Sequence, residues 1–98
     1  MNVQLLSIEP TEEWGTFDIR VKIGIEPHKF TMKVKTTPIT NHQIQVTHGD
    51  NNFLKTFKFS PMIALKISKL VSQFHNHQTV ELPANIGGLL SGELSSVN

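Results

Sequence analysis

The side chains best suited to chemistry are five histidines, eight carboxylates and a cluster of lysines and arginine spread through a cysteine-free chain of 98 residues. His42 and His48 are separated by an even step, and His75 and His77 flank Asn76. A zinc-type centre needs three or four such ligands to converge, each oriented by a further hydrogen bond. Two histidines two apart on a helix do not face each other, so these pairs read as surface or helix-end residues. The carboxylates Glu9, Glu12, Glu13, Asp18, Glu26, Asp50, Glu81 and Glu93 are scattered over predicted turns and tails. They do not pair as acid and base, and no serine stands in a Gly-x-Ser-x-Gly setting. Gly87-Gly88 is followed by neither Gly-Lys-Ser nor Gly-Lys-Thr, so it is not a phosphate loop. The expectation is a non-catalytic protein with no metal and no cofactor.

Positive charge is the more informative pattern. Arg20 and Lys22 alternate with apolar residues at Phe17, Ile19, Val21, Ile23 and Ile25, and Lys33 and Lys35 alternate with Phe30, Met32 and Val34. Period two over this length predicts two half-buried strands, and the interruption Glu26-Pro27-His28-Lys29 predicts the turn between them. Folding the strands so that their apolar sides coincide sets Ile25 opposite Phe30, Lys22 opposite Lys33 and Arg20 opposite Lys35. Slips by even steps keep the same face inward, so the basic cluster survives a change of register. Arg20, Lys22, Lys29, Lys33 and Lys35 are therefore the candidate anion- or partner-binding residues. Nine Lys+Arg against eight Asp+Glu leave a net charge of only +1. Dedicated nucleic-acid binders are usually far more basic.

The elements that must position this face follow in chain order. Val3 to Ile8 predicts a first strand whose apolar residues fall on both parities, as a bulge or a doubly covered strand would require. Trp14 reads as a residue at the edge of the core. His42 to His48 predicts a strand with Ile44 and Val46 inward, adding Gln43 and Gln45 to the polar face beside Lys33 and Lys35. His48-Gly49-Asp50-Asn51-Asn52 reads as a tight loop and Phe53 to Phe59 as a fifth strand. Ser60-Pro61 starts a helix running to about His75, with Ile63, Ala64, Ile67, Leu70, Val71 and Phe74 on one stripe. Leu65 falls on its polar side and is a candidate protein contact. Thr79 to Leu82 predicts a short strand stopped by Pro83.

The fold class expected is α+β: an antiparallel β-meander of four to five strands with one C-terminal amphipathic helix packed on its apolar face. Residues 1–83 form one domain and residues 84–98 a loosely held tail, whose Leu89 and Leu90 could contact a partner. A meander followed by one helix, over roughly Phe17 to His77, resembles the small Whirly-type single-stranded-DNA-binding domains, and implies a curved basic sheet face for nucleic acid. The chain departs from that pattern in its near-neutral charge and in lacking an evident exposed aromatic platform. The function expected is an interaction module for another protein or a second copy of itself, a homodimer. Weak binding of single-stranded nucleic acid or another anion is the alternative. Met1 to Pro10 has no signal-peptide character and no apolar run approaches the ~18 residues of a membrane span, so no membrane partner and a cytoplasmic location are expected.

Overall fold

Phe17, Ile19, Val21 and Ile23 are all buried on one side of strand β2 (Thr16–Ile23), while Asp18, Arg20 and Lys22 point the other way. The computed structural model describes residues 1–88. Around β2 lie β1 (Asn2–Pro10), β3 (Glu26–Ile39), β4 (His42–Gly49) and β5 (Ala84–Gly88), forming one antiparallel sheet in the order β4-β3-β2-β1-β5. Two helices, α1 (Asn51–Thr56) and α2 (Pro61–His75), separate β4 from β5. The architecture is thus α+β, with a five-stranded antiparallel meander and two helices rather than one. The second helix is followed by a strand, so it is not C-terminal.

The turn between β2 and β3 falls at Gly24-Ile25, not at Glu26–Lys29. Ile23 pairs with Glu26, and Gly24 takes the positive φ (64°) that the first position of such a two-residue turn favours. Pro27 looked like a break because proline lacks a ladder donor. In this register the donor it lacks would face the β4 side, where β4 has already ended at Gly49 opposite Met32. Pro38 lies on the opposite parity and faces the β2 side, beyond the end of β2 at Thr16 opposite Lys33. Two backbone bonds fix these parities: Val34 N–H donates to Gly15 C=O (2.7 Å), and Asp50 N–H donates to Thr31 C=O (2.9 Å). A long strand can hold both prolines because neither is asked for a bond.

β1 carries a bulge: Leu5 pairs with Val21, but Ser7 pairs with Arg20. The extra residue switches parity, so Val3 and Leu5 before it and Ile8 after it are all buried. The apolar residues on both parities therefore serve one core face.

Three further expectations fail. Phe53 to Phe59 is not a strand. Asp50 caps α1, its Oδ1 accepting from Phe53 N–H (2.9 Å), and Phe53 and Phe57, four apart, share one helical face against Phe30 with ring centroids 5.5 and 5.7 Å away. Thr79 to Leu82 is not a strand either. The final strand lies beyond Pro83, where β5 pairs with β1 and buries Ile86, so residues 84–88 belong to the sheet and not to a tail. Leu89 and Leu90 lie outside the described residues. Ser60 precedes α2 with Pro61 at its first turn, but its hydroxyl makes no capping bond; its carbonyl accepts from Ile63 and Ala64 N–H at 3.1 Å.

Ile63, Ile67 and Val71 of α2 join the buried cluster made by Val3, Leu5, Ile19, Val21, Met32 and Val34. Phe74 meets Phe17 edge-on with centroids 5.7 Å apart. On the opposite face of the sheet no helix lies among the described residues. Among the described residues no helix is long and apolar enough to cross a membrane.

Candidate functional site

Register and parity place Arg20, Lys22, Lys29, Lys33 and Lys35 together on the outer, uncovered face. Their pairings differ from those expected: Arg20 faces Lys29, Lys22 faces Pro27, and Thr16 faces Lys33. Lys35 lies further along β3, past the end of β2 and opposite Val46 of β4. Because the slip is even, every one of these side chains keeps its side of the sheet. Carboxylates divide the cluster. Asp18 Oδ2 lies 3.8 Å from Lys29 Nζ, and its Oδ1 accepts from Thr31 Oγ1 at 3.3 Å. Glu13 Oε2 lies 3.5 Å from Lys33 Nζ. Among the described residues Arg20, Lys22 and Lys35 make no ion pair. The face is therefore a patchwork of exposed pairs, each contributing little to stability, with three cations left over.

Gln43 and Gln45 are not on this face. β4 pairs with β3 so that Lys33 meets His48, Lys35 meets Val46, Thr37 meets Ile44 and Ile39 meets His42. It is Ile44 and Val46 that share the lysine side, while Gln43 and Gln45 point toward the helix side. Gln45 is used there: it exchanges two 2.8 Å hydrogen bonds with the Asn76 amide and accepts from Ser72 Oγ at 3.0 Å. The two-residue turn Thr40-Asn41 dictates this, since counting outward from Ile39 opposite His42 brings Lys35 to Val46. That count was the signal available in the sequence.

Beyond Val34, β3 and β4 leave the core together. Lys35–Ile39 and His42–Val46 are all exposed and form a two-stranded ribbon. Its outer side carries Ile39 (47% exposed), Ile44 (46%) and Val46 (49%), bordered by Lys33 and Lys35. Three β-branched residues, half in water on one side of a ribbon, are an unusual surface, because they have high strand propensity and nothing to pack on. Among the described residues β4 is also an open edge, pairing only with β3.

Trp14 is not at the edge of the core. It is 79% exposed in the β1–β2 connection, with its ring edge-on to His75, centroids 4.7 Å apart. The polar run Thr11-Glu12-Glu13 before it and Gly15 after it, at φ 81°, mark a turn, and turns present side chains to water. Trp14, Phe17, Phe74, His75 and His77 line an open groove of about 570 Å³. Leu65 is exposed on α2 (54%), one turn after the exposed Met62. The five histidines stand on separate elements, His28 on β3, His42 and His48 on β4, His75 at the end of α2 and His77 just beyond it. No known protein family matches this chain, and no curated protein matches it.

Proposed function

We propose that this chain is a non-catalytic interaction module that takes a protein partner at the open β4 edge and the outer side of the β3–β4 ribbon. The observation that carries this reading is the row Ile39, Ile44 and Val46, each about half exposed beside an edge strand with no charged or proline residue to discourage pairing. Strand addition supplies affinity through backbone bonds and specificity through alternate side chains, and this edge offers both. The test is capture from a lysate of the native host on immobilised wild-type protein and on an Ile44→Lys variant, whose new charge faces outward opposite Thr37. Wild type retains a partner that the variant loses, with the variant's unfolding midpoint unchanged. Equal capture by both would sink the ribbon as the binding surface.

A second reading, single-stranded nucleic acid or another anion on the outer face, is favoured by one observation. Among the described residues Arg20, Lys22 and Lys35 on that face have no carboxylate partner, which leaves three cations free to hold a phosphate backbone. Lys33 is the wrong residue to neutralise in a test, because it already pairs with Glu13. The triple variant Arg20→Gln, Lys22→Gln, Lys35→Gln is expected to lose anisotropy-detected binding to a labelled single-stranded oligonucleotide. Wild-type binding should itself fall steeply between about 50 and 200 mM salt. Binding indifferent to salt, or unchanged in the triple variant, rules this reading out.

A further inference from the structure

We infer that the strand this edge accepts is β4 of a second copy of the same chain, paired antiparallel about a two-fold axis at Gln45. The inference rests on the reading of the ribbon as an interaction surface and names its partner.

Backbone parity selects the register. Thr31 and Asp50 exchange bonds across the β3–β4 ladder, Asp50 N–H donating to Thr31 C=O (2.9 Å) and Thr31 N–H to Asp50 Oδ2 (3.0 Å). Residues of β3 on the parity of Thr31 are therefore the hydrogen-bonded ones, and their β4 partners His48, Val46, Ile44 and His42 spend their backbone groups inward. Gln43, Gln45 and Thr47 are left with N–H and C=O aimed out of the sheet. A copy related by a two-fold axis at Gln45 sets Gln45 against Gln45 and Gln43 against Thr47, which engages every one of those outward groups in both copies. Moving the axis to Ile44 or to Val46 leaves outer members of the set unpaired or opposite the strand ends.

Side chains agree with the same register. Pairing about Gln45 sets Ile44 of each copy against Val46 of the other, in the non-hydrogen-bonded sites where side chains approach most closely. The four half-exposed residues become one apolar strip. An axis at Ile44 would instead oppose Val46 to His42, and an axis at Val46 would oppose Ile44 to His48. Charge also permits self-pairing: β4 has no Lys, Arg, Asp or Glu, so no like charges meet across the axis. Lys33 and Lys35 stand one strand back in each copy. The other edge, β5, is shorter and ends in Gly87-Gly88, with little side-chain surface to match. An edge pair with four apolar side chains lies at the small end of specific interfaces, so the dimer dissociates at roughly micromolar concentration.

The absence of cysteine makes the test clean. Directly opposed residues in a hydrogen-bonded antiparallel pair have Cα atoms about 5.5 Å apart, inside the disulfide window of about 4.4–6.8 Å. Gln45→Cys is expected to give a covalent dimer on mild oxidation, whereas Thr47→Cys, whose symmetry mate lies four residues away along the strand, is expected not to. Sedimentation of the full wild-type chain should show a concentration-dependent dimer, and Ile44→Lys should weaken it by roughly tenfold or more. Cross-linking of Thr47→Cys as readily as Gln45→Cys overturns the register. A monomer at every concentration overturns self-pairing. If that monomer still captures a host protein in an Ile44-dependent way, the ribbon remains an interaction surface for a different partner; if it does not, both readings fall.

Discussion

A Gly15→Ala variant is expected to lose about 3 kcal/mol of stability and, for a domain of this size, roughly 10–20 °C in thermal midpoint. Gly15 holds a φ of 81°, where a residue with a Cβ carries strain of about 1–2 kcal/mol. Its own Cβ would also stand 2.9 Å from the carbonyl oxygen of Val34, a backbone atom that cannot swing aside. Relief requires the loop to lift, and lifting breaks the 2.7 Å bond from Val34 N–H to Gly15 C=O, which contributes about 1 kcal/mol more. Gly88→Ala is the control. Among the described residues only the Met1 carbonyl oxygen, at 3.9 Å, approaches a Cβ there, and the change should stay within about 0.5 kcal/mol. Chemical denaturation of both variants decides the matter, and a Gly15→Ala variant as stable as Gly88→Ala would refute the close approach. Gly15 is also the hinge that presents Trp14, so the same variant displaces the exposed ring from His75.

Asp50→Ala should cost nearly as much, about 2–3 kcal/mol, because one carboxylate serves two elements. Its Oδ1 accepts from Phe53 N–H and starts α1, a contribution of about 1 kcal/mol for an N-cap. Its Oδ2 accepts from Thr31 N–H at 3.0 Å, continuing the β3–β4 ladder where β4 itself has ended. Removing it leaves a part-buried amide unsatisfied, at about 1–3 kcal/mol. Asp50→Asn keeps one acceptor oxygen and should recover part of the loss. Equal stability of Asp50→Ala and wild type, measured by urea unfolding, would show that water replaces both bonds without cost.

The faces of β2 and β3 are legible because strict alternation is insensitive to any even slip; Arg20, Lys22, Lys33 and Lys35 fall on one side even in a register that the structure overturns, whereas Lys29, expected near the turn, joins them only because the turn lies at Gly24-Ile25. The ends of β3 were not legible, since whether a proline breaks a strand depends on which side has a neighbour. Pro27 and Pro38 both face sides where the neighbouring strand has stopped. The side of β4 is not legible from its apolar residues alone, since Ile44 and Val46 suggest an inward side that the register reverses. They point outward because the Thr40-Asn41 turn fixes their parity, and a ribbon beyond the core has no inside to offer them. Phe53 and Phe57 satisfy a helical spacing as well as an alternating one when a helix is this short, and only the cap at Asp50 separates the two. Ile86 was hidden among glycines and small residues, with too few apolar neighbours to form a pattern. Trp14 was assigned by residue type rather than by the turn that carries it.

The seating of β5 beside β1 has a consequence for the order in which the molecule assembles. The β2–β3 and β3–β4 pairs close over two-residue turns, whereas β5 pairs with β1 across the whole of the intervening chain, both helices included. The edge where Ile86 is buried carries the longest loop closure of the sheet and is expected to pair last, which pulsed hydrogen exchange would show as late protection of the β5 amides.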